Sequence, residues 1–283
     1  MADESAFLGL GSAVVARGFL GRVARAELAE TLARYAEAAR SLGAADVTFL
    51  GTEPIRRATD SALIVQDALE IAAAPLHVLS HEEEAYLTII GVTEGMPVMH
   101  ETLVVDVGGG SSEFCIVDAV HRPRAAGLRV GSARLTDRFV GHDPPITAEV
   151  ASMRAAAGEA VVAAPDAVPT ELIAVGGTAS NLVKLLPEAI DDRILTRERI
   201  ASIQAILATQ PAEATSVRYG INPVRARLLP AGGAVVDAIL ERYDADAIRV
   251  SEAGLREGVI LAVRHAGPSW RDRLADLAHG WRT

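Results

Sequence analysis

The sequence predicts an α/β protein, and three observations carry that expectation. Short β-branched or apolar runs alternate with stretches whose apolar residues recur at helical spacing. Two glycine-bearing turns, Gly108–Gly110 and Gly176-Gly177-Thr178, follow directly on strand-like runs. Half of the 283 residues are apolar and 23% are charged, enough to close a packed core and to exclude disordered, collagenous and low-complexity classes.

The elements follow in order. Leu28, Leu32, Tyr35, Ala39 and Leu42 mark one helix face, and Gly43 suits its C-cap. Val47-Thr48-Phe49-Leu50 reads as a strand, residues 60–73 as a helix stopped by Pro75, and Leu76 to Leu79 as a second strand. Ser80-His81-Glu82-Glu83 has capping-box spacing, so a helix opens there and runs to Gly91. Beyond Gly95-Met96-Pro97, strands are expected at 102–106, 113–117 and near 128–130, and helices at 133–140 and 147–163. A strand at 172–175 leads through the second glycine turn into another helix. Asn222-Pro223 supplies an N-cap and a first-turn proline for a long helix; a strand at 248–250 and a helix at 254–264 close the pattern. Pro97 marks the expected boundary, giving domains 1–98 and 99–283, with C-terminal helices packing back on the first.

Charge and cysteine content narrow the function classes. Lys and Arg number 27 against 37 Asp and Glu, a net charge of −10, which disfavours nucleic-acid and anionic-membrane partners. No run of eighteen apolar residues suggests a membrane span, and the acidic start does not resemble a leader. The single Cys115 leaves no internal disulfide and points to a reducing, cytoplasmic compartment. Cys115 lies in an alternating strand and reads as core rather than nucleophile. His77 and His81 come nearest to ligand spacing but straddle a strand–helix junction.

The chemistry-bearing segment is Leu103 to Glu113. A strand ends in Asp106, and Gly108, Gly109 and Gly110 then permit positive φ and close backbone approach. Successive N–H groups in such a turn form an anion nest, and Asp106 and Glu113 stand where a divalent cation could be held beside phosphate oxygens. A tight hairpin whose glycines serve only the turn is the alternative. The Gly176-Gly177-Thr178 turn before a helix is a second anion-favouring site. Glu82, Glu83 and Glu84 fall in a first helical turn, where the helix dipole alone accounts for them; in the sharper reading one of them is a general base for water. Arg56 and Arg57 follow a strand end, either as a solvated surface pair or with an arginine that contacts phosphate.

In order, the chain carries Gly-Thr-Glu-Pro-Ile-Arg-Arg-Ala (51–58), Ser-His-Glu-Glu-Glu-Ala (80–85), Asp-Val-Gly-Gly-Gly-Ser-Ser-Glu (106–113), Arg-Val-Gly-Ser-Ala-Arg-Leu-Thr-Asp-Arg-Phe (129–139), Val-Gly-Gly-Thr-Ala-Ser-Asn-Leu (175–182) and Ser-Glu-Ala-Gly-Leu-Arg-Glu-Gly (251–258). This series resembles the exopolyphosphatase / guanosine pentaphosphate phosphohydrolase (Ppx/GppA) family from about residue 7 to residue 265. The resemblance implies two ribonuclease-H-like domains of the actin/Hsp70/sugar-kinase superfamily with a cleft between them. It also implies hydrolysis of terminal phosphoanhydride bonds in inorganic polyphosphate or guanosine pentaphosphate, with Mg²⁺ or Mn²⁺ as cofactor, and a homodimer. By the same resemblance Glu84 corresponds to the water-activating base and Arg56 to a phosphate-contacting arginine. Asp106, Gly108, Gly109, Gly110 and Ser111 correspond to the phosphate loop, with Asp106 and Glu113 toward the metal and Glu113 helping to position water. Gly176, Gly177 and Thr178 correspond to the opposite phosphate wall.

Three departures accompany it. No Asp-x-Gly-Ser-Asn loop precedes Gly9-Leu10-Gly11-Ser12, so either the start codon is assigned too late or the chain is a truncated, degenerate member; as given, the first domain is expected to be N-terminally truncated and residues 1–98 rearranged, dimer-covered or weakly stable. Tyr86 stands where an arginine is usual, and His81 where a glycine is usual. A catalytically impaired polyphosphate- or guanosine-polyphosphate-binding module, or a regulatory subunit, is the alternative function. The tail from Gly267 adds no further domain, which favours a minimal polyphosphate hydrolase.

Overall fold

The computed structural model describes residues 4, 6 and 8–281. They form two compact units, one ending at Ser80 and the other beginning at His81. In the first, α1 (Leu10–Arg17) and α2 (Gly21–Ser41) precede β1 (Phe49–Gly51), α3 (Glu53–Arg57), α4 (Ser61–Ala72) and β2 (Leu76–Val78). β1 and β2 pair in parallel, Phe49 opposite Leu76 and Gly51 opposite Val78. A small aliphatic core that includes Val14, Leu20, Leu28, Ile55 and Ile64 joins the helices to them. The Asp60 carboxylate accepts the N–H groups of Leu20 and Gly21 at 3.0 and 2.9 Å, closing the turn between α1 and α2.

The second unit runs α5 (His81–Thr93), β3 (Thr102–Val107), β4 (Ser112–Val117), β5 (Arg124–Leu128), α6 (Ser132–Phe139), α7 (Thr147–Val161), β6 (Glu171–Val175) and α8 (Gly176–Leu182). It continues through α9 (Pro187–Asp192), β7 (Ile194–Thr196), α10 (Arg197–Leu207), α11 (Ala212–Tyr219), α12 (Pro223–Arg242), β8 (Ala247–Val250), α13 (Leu255–Ala266) and α14 (Leu274–Ala278). Its six strands lie in the order β5-β4-β3-β6-β8-β7, with β4 and β7 antiparallel to their neighbours. The first five, taken alone, give the ribonuclease-H-like arrangement that the resemblance implies.

Alternation sets the two faces of this sheet. Leu103, Val105 and Val107 of β3 and Phe114 and Ile116 of β4 enter one core with Met153, Leu182, Ile203 and Leu229. The intervening positions, Val104 and Asp106 with Glu113 and Cys115, face the other side, where α5 packs across β3, β4 and β5. α5 in turn packs closely on α13. A Cβ on Gly258 would stand 1.8 Å from the Leu87 carbonyl oxygen, and one on Gly91 2.0 Å from that of Gly254. Only glycine lets these backbones approach so closely, and the crossing anchors α5 over the sheet.

Several expectations change here. The boundary expected at 98/99 assigns residues 81–93 to the first domain, whereas the compact units divide at 80/81, because α5 buries itself on the second sheet and on α13. The third strand lies at Arg124–Leu128 rather than 128–130, where it is hydrogen-bonded to β4. The stretch from Pro187 to Tyr219, for which no element is expected, holds three helices and β7. A three-residue strand is too short to display alternation, although the Thr196 hydroxyl, accepting from the Arg199 N–H at 3.1 Å, is a legible helix start. No helix among the described residues is long and apolar enough to cross a membrane.

Candidate functional site

The site grows from the upper ends of β3 and β6. β3 carries Asp106 directly opposite Glu113 of β4, and Glu113 in turn lies opposite Gly127 of β5. Residues paired in this way project to the same face, so the two carboxylates are cross-strand neighbours on the side that bears α5. Glu113 is buried, and its Oε1 accepts from the Ser111 hydroxyl at 2.6 Å and from His81 Nδ1 at 2.8 Å. Asp106 is partly buried, and desolvation pushes its carboxyl up to about 6.

The glycine turn after Asp106 is held by its carbonyls. Gly108 accepts from the Ser132 N–H, Gly109 from the Arg134 N–H, each at 3.0 Å, and Gly110 from Arg134 Nε at 2.8 Å. Its first amide, Gly108 N–H, closes the turn onto Ser111 O at 3.0 Å. Among the described residues the N–H groups of Gly109 and Gly110 have no acceptor. The carbonyl side of the loop is therefore spent on the start of α6, and its amide side is left for an anion. Gly108 and Gly109 do not adopt the positive φ expected of them. Close approach is required at Gly108, where a Cβ would lie 2.9 Å from Ser111 O, and at Gly131, where one would lie 2.7 Å from the Gly108 oxygen and 2.5 Å from that of Gly109.

The second turn meets the first. Gly176, at φ 83°, comes so close to β3 that a Cβ there would stand 2.3 Å from Asp106 Oδ1. Thr178 reaches Ser132 Oγ at 3.5 Å, and Ser132 lies 3.4 Å from the Gly108 carbonyl oxygen. Ser132 is thus the buried hinge between both turns. Its segment, 129–134, stands out in the sequence only through the family likeness, and nothing in its local spacing marks that role. Arg225, at the start of α12, is the other residue that sequence reasoning leaves without a place. Its Nη1 lies 2.0 Å from where a Gly177 Cβ would be, and among the described residues it has no acidic partner.

The three consecutive acids of α5 are separated by their surroundings. Glu82 is exposed, Glu83 pairs through both oxygens with Arg271, and Glu84 is buried. Glu84 lies one turn beyond His81 on the same face of α5. Arg56 belongs to the first unit, where its Nη1 donates to the Leu79 carbonyl at 2.6 Å, while Arg57 pairs with Glu53 at 2.7 Å. Cys115 is core, as expected, with burial pushing its thiol up to about 12. Among the described residues no group of three or more His, Cys, Asp and Glu side chains forms an ion cage. Two neighbouring carboxylates beside a turn with open amides are instead a donor set that suits Mg²⁺, which ordinarily keeps waters and substrate oxygens in its shell. A desolvated carboxyl such as Asp106 fits that group, because a cation would restore its charged form.

Comparison with known proteins places the chain among its relatives. The chain is 26% identical over 238 residues to a guanosine-5'-triphosphate,3'-diphosphate pyrophosphatase of Vibrio cholerae, covering 82% of this chain and 47% of that protein. It is 26% identical over 273 residues to exopolyphosphatase 1 of Mycobacterium tuberculosis, covering 92% and 79%. The chain therefore spans about half the length of the Vibrio relatives and more of the mycobacterial one. Its fold matches a solved exopolyphosphatase from Cytophaga hutchinsonii at a TM-score of 0.82 and 23% identity, over 93% of this chain and 89% of that one. It also matches the Aquifex aeolicus member of the Ppx/GppA family at 0.79 and 24%, over 95% and 90%. With residues 1–266 matched to the Ppx/GppA phosphatase family, this chain belongs to that family.

Proposed function

We propose that the chain releases terminal phosphate from inorganic polyphosphate, with guanosine pentaphosphate as the other substrate of the same chemistry. The observation that carries this reading is the Ser132 bridge. It brings an amide-lined turn and a second glycine turn together beside two carboxylates on one sheet face. A phosphate chain needs donors without a matching acceptor, and the Gly109 and Gly110 N–H groups supply them in a protein whose net charge is −10. Local backbone dipoles, rather than global charge, then hold the anion.

In this reading Glu84 orients a water and takes its proton as the oxygen attacks the terminal phosphorus, while the bridging P–O bond breaks and the shortened chain leaves with the bridging oxygen. Burial suits a base that must not be solvated away from its target. The Gly109 and Gly110 N–H groups donate to phosphate oxygens beside the Gly176-Gly177-Thr178 turn, the Ser111 hydroxyl stays on Glu113, and Arg225 offsets the phosphate charge. Asp106 and Glu113 would hold Mg²⁺ or Mn²⁺, which supplies charge neutralisation at the leaving phosphate when bound. Phosphoryl transfer asks mainly for positioning and charge stabilisation, so these groups suffice in kind.

The test is phosphate release from polyphosphate and from guanosine pentaphosphate by the full chain, compared with Glu84→Gln. A loss on the order of 10²–10⁴ supports the base role, the range that general-base catalysis spans. Equal rates remove Glu84 from it. Calorimetric binding of either substrate with no release by the native chain would assign a binding module instead.

A further inference from the structure

His81 is used by nothing in the reaction described so far, yet it is built into the sheet. Its imidazole lies over Gly127, where a Cβ would stand 2.2 Å from both Cγ and Nδ1 of the ring. Gly127 is the cross-strand neighbour of Glu113, so the ring enters the row of Asp106 and Glu113 from the β5 side. Its Nδ1 lies 2.8 Å from Glu113 Oε1. A carboxylate offers only lone pairs, so Nδ1 carries the proton and donates. The same oxygen takes the Ser111 hydroxyl at 2.6 Å.

We propose that His81 is a positioning residue for Glu113, fixing the carboxylate in place for a divalent cation before the cation arrives. The inference rests on the reading of Glu113 as a cation-facing group. A glutamate on a strand has three side-chain torsions to restrict. Two donors on one oxygen, from α5 and from the phosphate turn, restrict them in advance. Hydrogen-bond partners behind a metal-binding carboxylate commonly govern affinity by 10–100-fold. The glycine at 127 is what admits the ring, so two positions from different elements carry one device.

Calorimetric titration of the full chain with Mn²⁺ tests it, using the native chain, His81→Ala, His81→Asn, Gly127→Ala and the His81→Ala/Gly127→Ala pair. His81→Ala should weaken Mn²⁺ binding roughly tenfold, and Gly127→Ala should do the same by displacing the ring. His81→Asn, which keeps an N–H near the Nδ1 position, should stay within about threefold of native, and the double variant should bind no worse than His81→Ala. The proposal is overturned by native-like binding in His81→Ala, by equal loss in His81→Asn, by multiplying losses in the double variant, or by no saturable binding in the native chain. Should His81→Ala not fold, Gly127→Ala and His81→Asn decide the matter on the same criteria. Phosphate release measured in parallel separates the two readings. Histidine-dependent Mn²⁺ binding without release sinks the hydrolase alone, and release with histidine-independent binding sinks this inference alone.

Discussion

The two compact units place their candidate residues by different means. In the first, two strands of three residues each form the whole sheet among the described residues, and Val23, Leu42 and Leu69 stand exposed at 81%, 71% and 58%. Arg56 donates there to the Leu79 carbonyl, at the end of the short sheet. In the second, every residue of β4 is buried, and the sheet has six strands with helices on both faces. Asp106, Glu113, Ser111 and the two glycine turns are fixed there by register, by Ser132 and by the α5–α13 crossing. Chemistry that depends on tenths of an ångström belongs on the second kind of support.

Hydrogen exchange on the full chain offers the widest test of that contrast. Amides of β3, β4 and β6 should open only with global unfolding, whereas those of β1 and β2 should exchange roughly 10²–10³-fold faster, a gap of about 3–4 kcal/mol in opening free energy. Equal protection in both sheets would erase the distinction. The anchoring of α5 can be broken directly. Gly258→Ala places a Cβ against the Leu87 carbonyl and should lower stability by roughly 1–3 kcal/mol, seen as a drop of several degrees in Tm. An unchanged Tm would mean that the crossing relaxes freely.

Asp106 sharpens the comparison through pH. Its folded carboxyl, at about 6, binds a proton more tightly than in the unfolded chain, so its stabilising contribution is full below about pH 4 and is lost as pH rises through 6. In EDTA, Asp106→Asn should therefore be more stable than the native chain at pH 8, by roughly 2 kcal/mol after allowing for partial solvent contact, and no more stable at pH 4. A stability difference independent of pH would refute the desolvated carboxyl. The smallest effect is expected at exposed Arg225. Arg225→Ala should raise KM for polyphosphate by about fivefold with kcat little changed, as for a solvent-facing charge-assisted contact. A fall in kcat with KM unchanged would instead place that guanidinium on the reacting phosphate.

Local chemistry made much of the molecule legible in advance. The α/β class, most elements of the second unit, the two glycine turns and the row of family motifs all follow from short-range spacing. Apolar periodicity, N-caps and glycine punctuation are properties of neighbouring residues. The association of α5 with the second unit and the identity of the buried acid among Glu82, Glu83 and Glu84 came only from the tertiary structure. So did the Ser132 bridge, the place of Arg225 over Gly177 and the reach of His81 to Glu113. Each of these joins positions far apart in the chain, and what joins them is strand register and the close approach of glycine-bearing backbones. The same three-glutamate sequence would read identically whichever carboxylate was buried; the packing of α5 against β3–β5 and α13, together with the hold of Arg271 on Glu83, distinguishes them.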